Sequence, residues 1–162
     1  MIGKKVQKVL NDQIKEEMGS AYLYFSMSNW FHTQNLHGFA GWLQHQAKEE
    51  LEHALKIYGY LHDQNSSAEL KALEAPQKTW KSPLAAFQDT YKHEQHITGL
   101  INNIADPAIA EKDHATGVFI NWFVSEQVEE EAAALAVLEK LKLIGDHPGG
   151  IYLLDREMGA RA

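Results

Sequence analysis

Four apolar stripes run along this chain, and each is interrupted near its middle by a carboxylate. In the first long stretch, Val6, Leu10, Ile14, Glu17, Ala21, Tyr24, Ser28 and Phe31 follow alternating steps of three and four. The second carries Phe39, Leu43, Gln46, Glu50, His53, Ile57 and Tyr60, and the third Leu84, Phe87, Tyr91, Glu94, Thr98 and Ile101. The fourth has Thr116, Ile120, Phe123, Gln127, Glu130, Ala134, Val137 and Leu141. Steps of this kind draw a narrow stripe on one face of an α-helix and turn it toward a core.

Glycine and proline gather between these stretches rather than within them, which sets the bounds of four helices. They are predicted to run from about Gly3 to Thr33, His37 to Asn65, Pro83 to Ile104, and Asp113 to just before Gly145. Ser82 before Pro83 reads as an N-cap followed by proline at the first helical position. Asp106-Pro107 is expected to break the third helix. After Gly145-Asp146-His147-Pro148, the segment from Gly149 to Met158 is expected to form one more short helix.

Short turns make the first and second helices antiparallel neighbours, and likewise the third and fourth. Roughly 18 residues without strong periodicity separate the second helix from the third. Extended, they reach about 60 Å, more than the roughly 42 Å length of a helix of about 28 residues. The expected fold class is therefore all-α, a four-helix bundle with a long crossover between helices two and three plus a short C-terminal helix. Residues 1–162 are expected to form one domain, with the bundle over about 3–144 and the terminal helix over about 148–158. Because the polar positions fall mid-helix, they meet at one level whichever way each helix points.

Composition narrows the function classes. A net charge of -7 argues against a general nucleic-acid binder and suits a protein that gathers cations. No apolar run approaches the roughly 20 residues of a membrane span, and the N-terminus lacks the apolar core of a signal peptide. The absence of cysteine excludes disulfides and thiolate-bound clusters, and the expected compartment is cytoplasmic. Of nine histidines, only His53 has a context that marks it as a ligand.

Glu50 and His53 lie three residues apart and so share a helix face. Alone, Glu-x-x-His is a weak signal, and a single helical glutamate is most often solvated. Four glutamates at seam positions of four helices differ from that case. Burying an unpaired carboxylate costs several kcal/mol, and clustering like charges adds to it. None of the four seams contains a lysine or arginine to neutralise them. Bound cations remain as the economical answer, and Glu17, Glu50, Glu94 and Glu130 with His53 suit a pair of divalent iron ions bridged by one carboxylate. No calcium loop is present. His93-Glu94-Gln95-His96 is not a zinc-protease motif, because the second histidine would have to stand at Ile97. No phosphate-cradling loop or Ser-His-Asp arrangement is readable.

These residues resemble the bacterial non-haem ferritins. The resemblance covers nearly the whole chain, including Gln127-Val128-Glu129-Glu130 and the tail from Gly150 to Glu157. The family's ferroxidase centre uses Glu, Glu-x-x-His, Glu and Gln-x-x-Glu in that order, here Glu17, Glu50 with His53, Glu94, and Gln127 with Glu130. The resemblance implies one iron on Glu17, Glu50 and His53 and another on Glu50, Glu94 and Glu130, with Glu50 as bridge. It implies that Gln127 orients oxygen or water nearby. It also implies a third iron site on Glu49, Glu126 and Glu129, sharing Glu130. Tyr24 matches the family tyrosine beside the pair, a donor of an electron or a hydrogen bond. Trp122 is expected to pack.

Related families differ at identifiable positions. Bacterioferritins and rubrerythrins carry two Glu-x-x-His motifs, and here the second is Gln-x-x-Glu. Leu51 stands where bacterioferritins place the haem-binding methionine, so no haem is expected. The resemblance implies an iron-storage subunit of a 24-subunit shell. Such a subunit oxidises iron(II) with O2 or H2O2 and deposits hydrous ferric oxide in the cavity. Trp30, Trp42 and Trp80 are spare apolar residues available for subunit contacts. The alternative is a rubrerythrin-like di-iron oxidase or peroxidase that keeps about two irons per chain on a small oligomer. A metal-free helical interaction bundle is a further rival.

Overall fold

The computed structural model describes residues 2–161; Met1 and Ala162, the ends of the expected domain, lie outside the described residues. Five helices follow one another: α1 (Lys4–Thr33), α2 (His37–Asp63), α3 (Pro83–Ala110), α4 (His114–Ile144) and α5 (Pro148–Gly159). No strand occurs among the described residues. All of the seam positions predicted for α1 and α4 are buried. In α2 and α3 the seams are buried except at Tyr60, Leu84, Tyr91 and Thr98, which are half-buried.

The helix ends have recognisable chemical causes. Ser82 caps α3 by accepting from the Ala85 amide, and Asp113 caps α4 by accepting from the Thr116 amide. Helices α1, α2 and α3 close with a residue in the left-handed region, Asn35, Asn65 and Lys112 at φ 58, 54 and 55. Each is followed by an amide that bonds back five residues: Leu36 to Phe31, Ser66 to Leu61, and Asp113 to Ala108. This is the Schellman closure, which satisfies carbonyls that the helix leaves open.

The expected break at Asp106-Pro107 does not occur. Helix α3 continues through Pro107 to Ala110. Proline there removes one amide near the end of the helix, at a cost of about 3 kcal/mol in an interior position. Ile104 and Ala108 are buried on either side, and the closure at Lys112 ends the helix instead.

Packing divides the core in two. At one end, Met27, Phe31, Phe39, Leu43, Phe87 and Leu141 form one apolar cluster, in which Phe31 stacks on Phe39 at 4.9 Å. At the other, Val6, Leu10, Ile57, Leu61, Ile101 and Ile120 form a second. The carboxylate layer lies between them. Residues 64–82 cross the bundle along α1. Asn11 meets Ser67 and Glu69 near the start of that helix, Ser26 meets Gln77, and Trp80 packs edge-on against Trp30 near its end. Helices α2 and α3 therefore run in the same direction.

The tryptophans expected to serve subunit contacts are core residues. Trp30, Trp42 and Trp80 are only 6, 6 and 8% exposed. Trp30 and Trp80 anchor the crossover to α1, and Trp42 packs on Phe87. The apolar surface left open lies elsewhere, at Val118, Val128, Leu143, Tyr152 and Leu153 among others.

Helix α5 docks on the start of α2, where Asp155 accepts from the Phe39 amide at 3.0 Å. A Cβ at Gly38 would overlap the Asp155 carbonyl oxygen. Gly38→Ala is therefore expected to lower unfolding stability by about 1–3 kcal/mol, the usual cost of an overpacked contact. Thermal unfolding checks it, and an unchanged midpoint contradicts this docking.

Candidate metal centre

Helix α1 supplies Glu17, α2 supplies Glu50 and His53, α3 supplies Glu94 and α4 supplies Glu130. Their exposures are 0, 1, 4, 1 and 7%. The apolar positions above and below each of them fix this depth, because a helical residue follows its neighbours three and four positions away.

Ligand atoms of Glu17, Glu50 and His53 lie within 4.8 Å of one another, and so do those of Glu50, Glu94 and Glu130. Glu50 belongs to both groups. His53 Nδ1 is 3.4 Å from Glu50 Oε2 and 3.9 Å from Glu17 Oε2. Glu17 Oε2, both Glu50 oxygens and His53 Nδ1 are buried without a hydrogen-bond partner. Four such atoms facing one another are expensive in a folded protein. Carboxylate oxygens beside an imidazole nitrogen are the donor set that a divalent iron ion takes, so the residues present fit the metal.

Four of the remaining oxygens are held by neutral donors. Gln13 donates to Glu17 Oε1 at 2.8 Å, and Gln46 to Glu130 Oε2 at 2.6 Å. Gln127 donates to Glu94 Oε2 at 3.2 Å and to the Glu94 carbonyl at 3.3 Å. The Tyr24 hydroxyl donates to Glu94 Oε1. Of these donors, Gln46, Gln127 and Tyr24 were visible as seam residues. Gln13 lies off the seam, and its role follows only from its i,i+4 relation to Glu17.

A third group joins His53, Glu126 and Glu130, with His53 Nε2 at 4.0 Å from Glu126 Oε2. Glu49 lies apart from it, 3.3 Å from His45 and 3.1 Å from Arg161. Glu129 is exposed and belongs to none of the three groups. Trp122 packs its ring edge-on against His53 at 5.3 Å, with Lys56 over it at 4.2 Å. His93, which the sequence did not single out, is packed behind Tyr24 and bonded to Ser20 at 2.7 Å. Burial, and then His96, pushes its pKa down to about 4, so its ring is neutral at ordinary pH.

Burial followed by the charge of Glu50 raises the pKa of Glu17 well above the usual glutamate range. Burial and then Glu94 do the same to Glu50, and together they bring Glu130 up to about 7. Burial also raises Glu94, against the hydrogen bonds from Tyr24 and Gln127. Tyr24 is raised by burial and by the charge of Glu94.

Between the ordinary value of 4.5 and about 7, the metal-free native state thus binds more protons than the unfolded chain. For Glu130 the contribution to stability is complete below the lower value and is lost as pH rises through the higher one, and the raised Glu17, Glu50 and Glu94 act in the same direction. Glu50→Gln is expected to stabilise the metal-free protein at neutral pH by about 1–3 kcal/mol and to flatten this pH dependence. Unfolding of chelator-treated protein at pH values on both sides of the window checks it. Equal slopes for the two proteins would contradict the assigned burial.

The model of the ferritin-like domain matches residues 7–144. The bacterial non-heme ferritin of Campylobacter jejuni is 44% identical over 96% of this chain and 93% of its own. That of Bacteroides fragilis is 39% identical over 99% of this chain and all of its own. Among solved structures, an open-pore ferritin of the hyperthermophilic archaeon Archaeoglobus fulgidus superposes with a TM-score of 0.99 at 43% identity, covering 100% of this chain and 99% of that one. With a bundle of the same topology around a buried layer of four glutamates and one histidine, the chain belongs to the ferritin family, among the bacterial non-haem ferritins.

Proposed function

We propose that this ferritin subunit stores iron by oxidising it within the bundle and passing it to the cavity of a shell. The observation that carries the reading is the set of unpartnered buried atoms on Glu17, Glu50 and His53. Glu17 and His53 hold one iron(II), Glu94 and Glu130 hold the other, and Glu50 spans both. The iron is the substrate, and the redox chemistry is its own. Two iron(II) ions lose one electron each. Dioxygen takes both electrons and two protons to leave as hydrogen peroxide, or peroxide takes them to leave as two waters.

The chain's part is positional and electrostatic. Carboxyls that hold protons in the empty site release them as the cations enter. Gln127 and Tyr24 fix both oxygens of Glu94, so that carboxylate arrives oriented. Tyr24 stands where it can donate a hydrogen bond or an electron. The third group, His53, Glu126 and Glu130, takes iron onward to the mineral, and Glu49 and Glu129, which stand outside that group, serve the route beyond it. Relatives described as ferritins at 39–44% identity over nearly the full chain support assembly into a closed homo-oligomer. We take that assembly to be a 24-subunit shell in the cytoplasm. No helix among the described residues is long and apolar enough to cross a membrane.

Aerobic loading with tens of iron(II) equivalents per chain, followed by sizing with light scattering, tests the reading. The expected product is a large particle carrying far more than three irons per chain. Saturation near two irons on a small oligomer would leave a di-iron redox enzyme instead. Glu50→Ala, which removes the bridge, is expected to slow initial iron(II) oxidation by at least about tenfold. An unchanged rate would place the oxidation elsewhere.

A further inference from the structure

After α5 the chain turns back toward α2, and Arg161 reaches the margin of the acidic layer. Its Nη1 donates to Gln46 Oε1 at 2.5 Å, and its Nη2 to Glu49 Oε2 at 3.1 Å. The guanidinium lies over the Trp42 ring, 4.9 Å from its centroid. Gln46 in turn donates to Glu130. One cationic side chain therefore holds Glu49 directly and Glu130 through an amide. Glu130 belongs to the third group, and Glu49, which lies apart from that group, is a further ligand of the third position by the family resemblance.

We propose that Arg161 is a positioning residue for that third position, a resident positive charge that occupies Glu49 until a metal cation displaces it. The inference rests on the reading that this acidic group binds iron. A guanidinium carries a positive charge, so it competes with a metal ion for the same carboxylate. Its planar fork matches the amide oxygen and the carboxylate together, which a bare ammonium does not. The side chain is 31% exposed and already rests on an indole face, so it can leave Glu49 while keeping the Trp42 contact.

The consequence is an order of filling. Among the described residues no lysine or arginine pairs with Glu17 or Glu50, and the unpartnered atoms of that group favour early occupancy. At Glu49 an incoming ion must first displace Arg161. The third position is thus the last to fill and the first to empty, which suits a transfer point rather than a store.

Calorimetric titration of the metal-free assembled protein with zinc(II), a redox-inert probe, tests this without any turnover. The unsubstituted protein is expected to bind two equivalents per chain and then a weaker third. In Arg161→Gln the third step is expected to tighten by about tenfold, from loss of a nearby like charge, while the first two shift much less. Arg161→Lys retains the charge and is expected to stay closer to the unsubstituted protein than Arg161→Gln does. Equal third-step affinity in the Gln variant and the unsubstituted protein would overturn the role of Arg161 and leave the third position standing. Two steps and no third in any of the proteins would overturn both the inference and the reading of that position, while leaving the pair intact.

Discussion

The mutual proximity of four buried glutamates is the constraint on which the rest of the molecule depends. Left to themselves, such groups would turn to water or take up protons. Here they can do only the second, because apolar clusters on both sides hold the helices that carry them. Phe31, Phe39 and Phe87 lock one end, and Leu10, Ile57 and Ile101 lock the other. The packing at the ends thus sustains an unfavourable layer in the middle. That stored cost is what gives the layer its affinity for cations.

Hydrogen bonding divides the layer unevenly. Glu94 has both oxygens held by neutral donors, whereas Glu50 has both free. Under the proposed function this asymmetry makes one half a firm holder and the other a position that yields iron more readily. The departure from a second Glu-x-x-His motif has the same effect, since Gln127 offers no imidazole nitrogen and its amide donates to Glu94.

Much of this was legible from the chain. The steps of three and four placed Glu17, Glu50, His53, Glu94 and Glu130 on inward stripes, and every one of them is buried. Periodicity is a long-range average and tolerates local surprises. The end of α3 was misread for the opposite reason. The proline rule is local, whereas what ends the helix is a closure at Lys112, a residue with no particular preference for the left-handed region. The tryptophans were misplaced because their burial depends on the crossover and α5, whose paths periodicity does not report. Arg161 and Gln46 stand 115 positions apart, so nothing in either neighbourhood announced their contact. His93 lies beside Glu94 but off the seam, on a flank that packs on Tyr24 and that steps of three and four do not mark.

The central claim is that two irons occupy the groups of Glu17, Glu50 and His53 and of Glu50, Glu94 and Glu130, bridged by Glu50. Crystals soaked anaerobically in iron(II), with diffraction measured on both sides of the iron absorption edge, test it most directly. The account predicts two anomalous peaks inside each subunit's bundle, one within each group, with a Glu50 oxygen toward each. Peaks confined to the surface, or a bundle interior without any, would contradict it.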